Sequence, residues 1–204
     1  MYLGGFCFIT DPKASNLSFE EMTIKVLRGG VRWVQYRDKV RPRREIYEEA
    51  IRLRKSTQDY NAIFIVNDYT DIAYCVNADG VHLGQNDLPL IEARRIIGKK
   101  KIIGISTHNL EQAIEAERDG ADYIGFGPVF QTITKDAGEP KGIDMLREVK
   151  TKVKIPVVAI GGINLENIIP VLNTGIDAVA IASAILTGDI EENVRRFMDF
   201  LKYK

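Results

Sequence analysis

The sequence predicts an α/β fold, a single (β/α)8 (TIM) barrel over residues 1–204 with its active site at the C-terminal ends of the strands. Three observations carry this. Short apolar runs alternate with charge-rich amphipathic segments along the whole chain. Runs such as Ile63-Phe64-Ile65-Val66 and Val157-Val158-Ala159-Ile160 are apolar throughout, as parallel strands covered on both faces are. No linker interrupts the alternation, so the units read as one closed sheet wrapped in helices. An open doubly wound sheet is the structural alternative.

Strands are expected at Gly5–Thr10, Val31–Arg37, Ala62–Asn67, Gly80–Leu83, Lys101–Ser106, Tyr123–Gly127, Pro156–Ile160 and Ala178–Ala182. The helices between them mark their own ends. Ser18 with Glu20 and Glu21 reads as a cap followed by an acidic first turn, and Asn109 with Glu111 and Asn164 with Glu166 repeat the pattern. Gly29-Gly30, Gly98, Gly120 and Gly175 fall where helices should stop. The second helix, from about Arg43 to Gln58, is the longest, and its charges form a solvated face.

At 204 residues the chain can bury a sizeable core, and 45% hydrophobic with 27% charged residues is ordinary for a globular protein. The 28 basic side chains balance 28 acidic ones, so no global field favours nucleic acid or a membrane surface, and any anion site must be local. Cys7 and Cys75 lack metal-ligand spacing and are expected as buried small hydrophobes in a reducing cytoplasm. No cationic leader precedes a long apolar stretch, and no run approaches 18 apolar residues. A cytoplasmic protein acting on small molecules is the expectation; a homo-oligomer is compatible with the sequence but not specified by it.

Barrel enzymes build their sites at the strand ends. In the second strand Val31, Trp33, Gln35, Arg37 and Lys39 share one face by period-two alternation, which puts the apolar pair deeper and the polar trio at the mouth. Arg37 and Lys39 make a poor core and a good phosphate clamp. The third strand ends in Asn67-Asp68 and the fourth in a stretch reaching Asp87, so the two carboxylates can face one another. Beside a cationic clamp they suggest Mg2+, which takes one or two carboxylates plus substrate phosphate and water; singly, each could instead cap a helix. The fifth strand delivers Ser106, a donor for a phosphate oxygen. His82 and His108 have no Cys or second His at ligand spacing and are read as site-shaping hydrogen-bonders rather than zinc ligands.

The sixth strand runs through Gly125 and Gly127 into Thr132, Thr134 and Lys135, a loop where backbone, hydroxyls and an ammonium can meet an anion. The last two strands end in Gly161-Gly162-Ile163 and Ala182-Ser183, the usual phosphate-binding loops of this fold. The chain thus carries two expected anion sites, one cationic and metal-assisted, the other built mainly from backbone.

Together these residues resemble the thiamine phosphate synthase family over essentially the whole chain. The family's Gln-x-Arg-x-Lys matches Gln35, Arg37 and Lys39, and its Asn-Asp matches Asn67 and Asp68. Its His-x-Gly-Gln-x-Asp matches His82 to Asp87, its Gly-x-Ser-x-His matches Gly104, Ser106 and His108, and its Gly-Pro-Val-Phe-x-Thr-x-Thr-Lys matches Gly127 to Lys135. The closing Gly-Gly-Ile and small-Ser elements match Gly161 to Ile163 and Ala182-Ser183. Gln131, Tyr69 and Cys7 stand where Pro, Arg and Tyr are common in the family, and the segment from Asp136 to Gly142 is about one residue shorter.

The resemblance implies coupling of 4-amino-2-methyl-5-hydroxymethylpyrimidine pyrophosphate to 4-methyl-5-(2-phosphoethyl)thiazole, or its carboxylate, giving thiamine phosphate and pyrophosphate. It assigns Mg2+ to Asp68 and Asp87. Arg37, Lys39, Ser106 and Lys135 would meet the pyrophosphate, with Gln35 and Asn67 beside it. Thr132, Thr134, Gly162, Ala182 and Ser183 would meet the thiazole phosphate. Arg37, Ser106 and Lys135 would carry the catalysis, and the loop from Thr132 to Lys141 is expected to order only when substrate is bound. A thiazole tautomerase of the same superfamily typically places a catalytic His where Pro128 stands here. A non-catalytic phosphate-binding barrel should tolerate loss of Asp68, Asp87 or Arg37, all of which are present. A Schiff-base aldolase needs an apolar lysine pocket, which neither Lys39 nor Lys135 has in its sequence surroundings.

Overall fold

A computed structural model describes residues 3–132 and 138–201. Among these, eight strands pair in chain order and the last closes onto the first: β1 (Gly5–Ile9), β2 (Trp33–Tyr36), β3 (Ile63–Asn67), β4 (Gly80–Leu83), β5 (Ile102–Thr107), β6 (Tyr123–Phe126), β7 (Val157–Ile160) and β8 (Ala178–Ile181). All pairings are parallel. The closing pair sets Gly5 opposite Ala178 and Phe8 opposite Ile181. The expected strands are all present, each within two residues of its expected bounds. Around them run α1 (Phe19–Arg28), α2 (Arg43–Asp59), α3 (Thr70–Cys75), α4 (Leu90–Ile97), α5 (Leu110–Arg118), α6 (Gly142–Lys152), α7 (Ile168–Leu172), α8 (Ser183–Leu186) and α9 (Ile190–Leu201). No helix among the described residues is long and apolar enough to cross a membrane.

Two of the three expected caps form directly. The Ser18 hydroxyl accepts from the Glu21 N–H while the Glu21 carboxylate accepts from the Ser18 N–H, a reciprocal box that satisfies two orphan donors. Asn109 accepts from the Gln112 N–H at 2.8 Å. Asn164 also accepts, from the N–H groups of Glu166 and Asn167, but the turn it caps stops short of α7, which begins at Ile168. Pro170 has no N–H to donate back to Glu166, so the turn cannot run on as continuous helix.

Period-two alternation sorts the strand residues into two cores. Cys7, Ile9, Trp33, Ile65, Tyr123 and Val158 fill the barrel, while Phe8, Val34, Phe64, Ile124 and Val179 point outward onto the helices. Trp33 lies deep in the barrel as expected, but Val31 does not: it packs in the outer core. Its N–H donates to Val26 at the end of α1, so the chain has not yet entered the strand there. Cys7 is buried and its thiol is pushed well above its ordinary value by desolvation. Cys75, expected inside, is exposed. The inner face of α3 is taken by Thr70, Ile72 and Ala73, and position 75 falls on the outside.

The N-terminal end of the barrel carries one device three times. Asp79, Asp122 and Asp177 each stand just before an even-numbered strand. Each donates its backbone N–H to a carbonyl of the preceding odd strand, on Phe64, Ile103 and Val157 respectively. Each then accepts that same residue's N–H on its carboxylate, at 2.8, 2.7 and 2.8 Å. A cation from the helix that precedes the odd strand completes each clasp: Arg54 of α2 at 2.7 Å, Arg94 of α4 at 2.6 Å and Lys150 of α6 at 2.6 Å. The strand N–H groups at the barrel rim, which have no ladder partner there, are thereby paired. Arg32 holds the equivalent place before β2 and instead donates to the carbonyls of Leu27 and Val31.

Asp79→Ala is expected to destabilise the fold by about 1–3 kcal/mol, because it leaves the Phe64 N–H without its acceptor. The urea midpoint should fall with an unchanged slope. Asp79→Asn keeps an acceptor and should lose less; equal losses would show that pairing with Arg54, not the strand N–H, sets the effect.

Candidate active site

The C-terminal ends of the strands open into one cavity. Its floor comes from the inward positions of the upper barrel layer: Ile9, Gln35, Asn67, His82, Ser106, Gly125, Ile160 and Ala180. Its walls come from the loops above, with Arg37, His108, Pro128, Thr132, Gly161 to Ile163 and Ala182 to Ala184. Of the residues expected in the site, Gln35, Arg37, Asn67, Ser106, Thr132, Gly162, Ala182 and Ser183 line this one cavity. Lys39, Asp68 and Asp87 gather beside one another next to the lining residue Asn67. Thr134 and Lys135, with half of the loop expected to order on substrate binding, lie outside the described residues.

The cationic clamp is held from below. Asp38, 5% exposed, accepts the N–H groups of Val40 and Arg41 and the Arg41 guanidinium at 2.6 Å. Arg41 also donates to the Tyr36 hydroxyl at 3.0 Å and lies over the Phe19 ring. Burial works against the Asp38 charge, but Arg41 and the two N–H groups hold its carboxyl below the usual range. On the other side the Thr10 hydroxyl accepts the Arg37 N–H at 2.8 Å and donates to the Arg37 carbonyl. These anchors take up the backbone of the turn, so Arg37 and Lys39 are set at the mouth. None of Thr10, Asp38 and Arg41 stands out in the sequence, where Thr10 reads as the end of a strand and Asp38 and Arg41 as ordinary loop residues.

Lys39 Nζ lies 2.6 Å from Asp68, whose backbone is in the left-handed region at φ 66°. Burial, with the neighbouring Asp87, pushes the Asp68 carboxyl up, and Lys39 opposes that. Asp87 is turned back by the Gly84 N–H at 2.6 Å. Two carboxylates in contact, one of them mostly buried, make a site that calls for positive charge. The donors that meet there are carboxylate oxygens, which suit a hard cation; among the described residues no group of three or more His, Cys, Asp or Glu side chains comes together.

Beneath the cavity runs a polar chain. His82 stands between the Ser106 hydroxyl and the Tyr123 hydroxyl, 2.9 Å from each, and the Gln35 amide acts on the same Tyr123 hydroxyl. Tyr123 lies edge-on to Trp33, and burial raises its hydroxyl well above its ordinary value. A Cβ at Gly104 would overlap the Tyr123 ring, and one at Gly125 would press on the His82 imidazole. Tyr123 went unnoticed in the sequence because an aromatic residue opening a strand reads as core; its inward parity, two positions before Gly125, was the available signal. His108 donates from Nδ1 to the Gly127 carbonyl at 2.6 Å.

The loops after β6 and β7 are packed backbone to backbone. Val129 and Phe130 donate to the carbonyls of Ile160 and Gly161, and within the β6 loop Lys141 and Gly142 donate to the carbonyls of Pro128 and Val129. Gly162, at φ 67°, has no room for a side chain against Phe130 and Gln131. The peptide between Gly127 and Pro128 is cis.

A parallel barrel whose mouth combines a guanidinium, neutral donors, glycine-rich loops and a carboxylate pair defines a barrel enzyme acting on phosphorylated small molecules. The family model described as thiamine monophosphate synthase matches residues 6–185. A thiamine-phosphate synthase of Clostridium acetobutylicum is 46% identical over 179 residues, covering 87% of this chain and 85% of its own. One of Methanosarcina mazei is 43% identical over 199 residues, covering 97% of this chain and 82% of its own. The solved structure of thiamine phosphate pyrophosphorylase from Pyrococcus furiosus superposes with a TM-score of 0.90 at 40% identity, covering 98% of this chain and 96% of that one. The chain belongs to the thiamine monophosphate synthase family.

Gly104→Ala is expected to destabilise the protein by about 1–3 kcal/mol, since the buried Tyr123 ring has nowhere to move. Thermal unfolding of Gly104→Ala alone and with Tyr123→Phe checks this. The double variant should regain little, because the overlap is with the ring.

Proposed function

We propose that this protein joins 4-amino-2-methyl-5-hydroxymethylpyrimidine pyrophosphate to 4-methyl-5-(2-phosphoethyl)thiazole, releasing pyrophosphate and forming thiamine phosphate. The observation that carries the reading is the charge of the cavity. Its lining holds the Arg37 guanidinium and the neutral donors Gln35, Asn67, Ser106 and Thr132, and among the described residues it holds no carboxylate. Such a lining accepts anions and repels nothing that carries phosphate.

The reaction as read here needs little proton transfer. Pyrophosphate leaves, the pyrimidine amino group stabilises the resulting benzylic-type cation, and the thiazole nitrogen attacks with its own lone pair. The chain's task is therefore to stabilise the leaving charge and to align two rings. Arg37, Lys39 and Ser106 serve the leaving group, with Lys135 assigned there by the family resemblance; Gln35 and Asn67 lie beside it. Thr132, the backbone at Gly162 and the Ala182-Ser183 turn serve the thiazole phosphate, with Thr134 assigned likewise. Ile9, Ile160 and Ala180 give the floor an apolar part, which limits the access of water to the cation. Asp68 and Asp87 would hold Mg2+, which when bound supplies positive charge to the pyrophosphate. In the same reading the protein works in the cytoplasm on diffusing small molecules, without nucleic acid or membrane.

Mixing the purified protein with both substrates and Mg2+ should yield thiamine phosphate and pyrophosphate in equal amounts. Binding of both substrates without product, under conditions where a known synthase turns over, would sink the reading. Arg37→Ala and Lys135→Ala should each lower kcat by about 10²–10³-fold, the loss typical of one charge-stabilising donor. Asp68→Asn should raise the Mg2+ concentration needed for half-maximal rate.

A further inference from the structure

We infer that the chain of hydrogen bonds under the cavity couples its anion end to its ring-recognition end, with Tyr123 as the positioning residue at the centre. The inference rests on the reading above for the identity of the two ends. Ser106 Oγ and His82 Nε2 are 2.9 Å apart, His82 Nδ1 and the Tyr123 hydroxyl are 2.9 Å apart, and the Gln35 amide completes the series. Gln35 and Ser106 both reach the cavity, whereas Tyr123, 1% exposed, lies beneath it.

Each link carries one proton and a neutral imidazole has only one to give, so with His82 neutral the direction of the first bond dictates all the others. A phosphate oxygen only accepts. When one meets Ser106, the hydroxyl proton goes to the anion, and Ser106 must then accept from His82, which places the imidazole proton on Nε2. His82 Nδ1 is left as an acceptor, so Tyr123 must donate to it. The Tyr123 oxygen in turn accepts from the Gln35 NH2 group, and the Gln35 carbonyl is left as the group that can meet the cavity. An acceptor at that place suits the amino group of an aminopyrimidine. The reversed chain would present an NH2 group there and leave Ser106 unable to donate to an anion. Anion binding and amino-group recognition therefore select the same state.

The fold protects this arrangement. Trp33 holds the Tyr123 ring edge-on at 5.1 Å, and Gly104 and Gly125 leave the space that Tyr123 and His82 fill. Nothing else about the known reaction requires a hydroxyl at position 123.

The test reads the imidazole tautomer directly. The chain has two histidines, and ¹⁵N spectra of the two rings separate them, His108 being held with its proton on Nδ1 by the Gly127 carbonyl. With inorganic pyrophosphate and Mg2+ bound to the unmodified protein, His82 should be neutral with its proton on Nε2. A proton on Nδ1, or a charged imidazole, with pyrophosphate bound would overturn the relay while leaving the proposed function standing. Failure to bind pyrophosphate at all would overturn the proposed function and the relay with it. In Tyr123→Phe the KM for the pyrimidine pyrophosphate should rise on the order of tenfold, the loss expected when one buried partner is removed, while the KM for thiazole phosphate stays within about twofold. Equal rises in both, or no change in either, would reduce Tyr123 to packing. The tautomer measurement needs no variant and stands whether or not Tyr123→Phe folds.

Discussion

Closure of the sheet is the constraint on which everything else in this molecule depends. Once β8 pairs with β1, every strand has two neighbours, and alternate side chains are committed to a confined interior. The interior cannot be adjusted by sliding one strand, because a one-residue slip would exchange the inner and outer sets. Its lower layers are filled by Trp33, Ile65 and Tyr123, and space for the Tyr123 ring comes from Gly104 on the neighbouring strand. Only above these layers does the barrel widen into a cavity. The depth of the site is thus set by where the large inward side chains stop.

Much of this was legible in the sequence. Continuous apolar runs located the strands, the parity of Gln35 and Arg37 turned them to the mouth, and the strand-end positions of Asn67 and Ser106 brought these to the same place. What escaped the sequence depends on partners distant along the chain. Asp79, Asp122 and Asp177 look like three surface carboxylates until each is seen receiving an N–H from the strand before it. Asp38 and Arg41 look like loop residues until Tyr36 and Phe19 close around them. Cys75 and Val31 were misplaced for the opposite reason: local hydrophobicity was read without knowing which face of α3, or which turn after α1, each would occupy. Thr134 and Lys135 belong to the recognisable motif and lie beyond what the structure describes.

The charge distribution explains how a chain of zero net charge can receive two phosphorylated substrates. Carboxylates at the N-terminal rim are each tied to a cation of their own, and Asp38 is tied to Arg41. Among the described residues the cavity lining keeps Arg37 and no acid, while Asp68 and Asp87 sit together with Lys39. The field at the mouth is local, shaped by which pairs are closed and which are left for the ligand.

The triple clasp at the N-terminal end has a consequence for how such a protein can change over time. It fixes strand register from the end of the barrel farthest from the ligand, using only residues that the ligand never meets. The loops at the opposite end are then released from the task of keeping the sheet in order. A lineage could lengthen, shorten or replace them, and so exchange one phosphorylated substrate for another, without having to reinvent the scaffold each time.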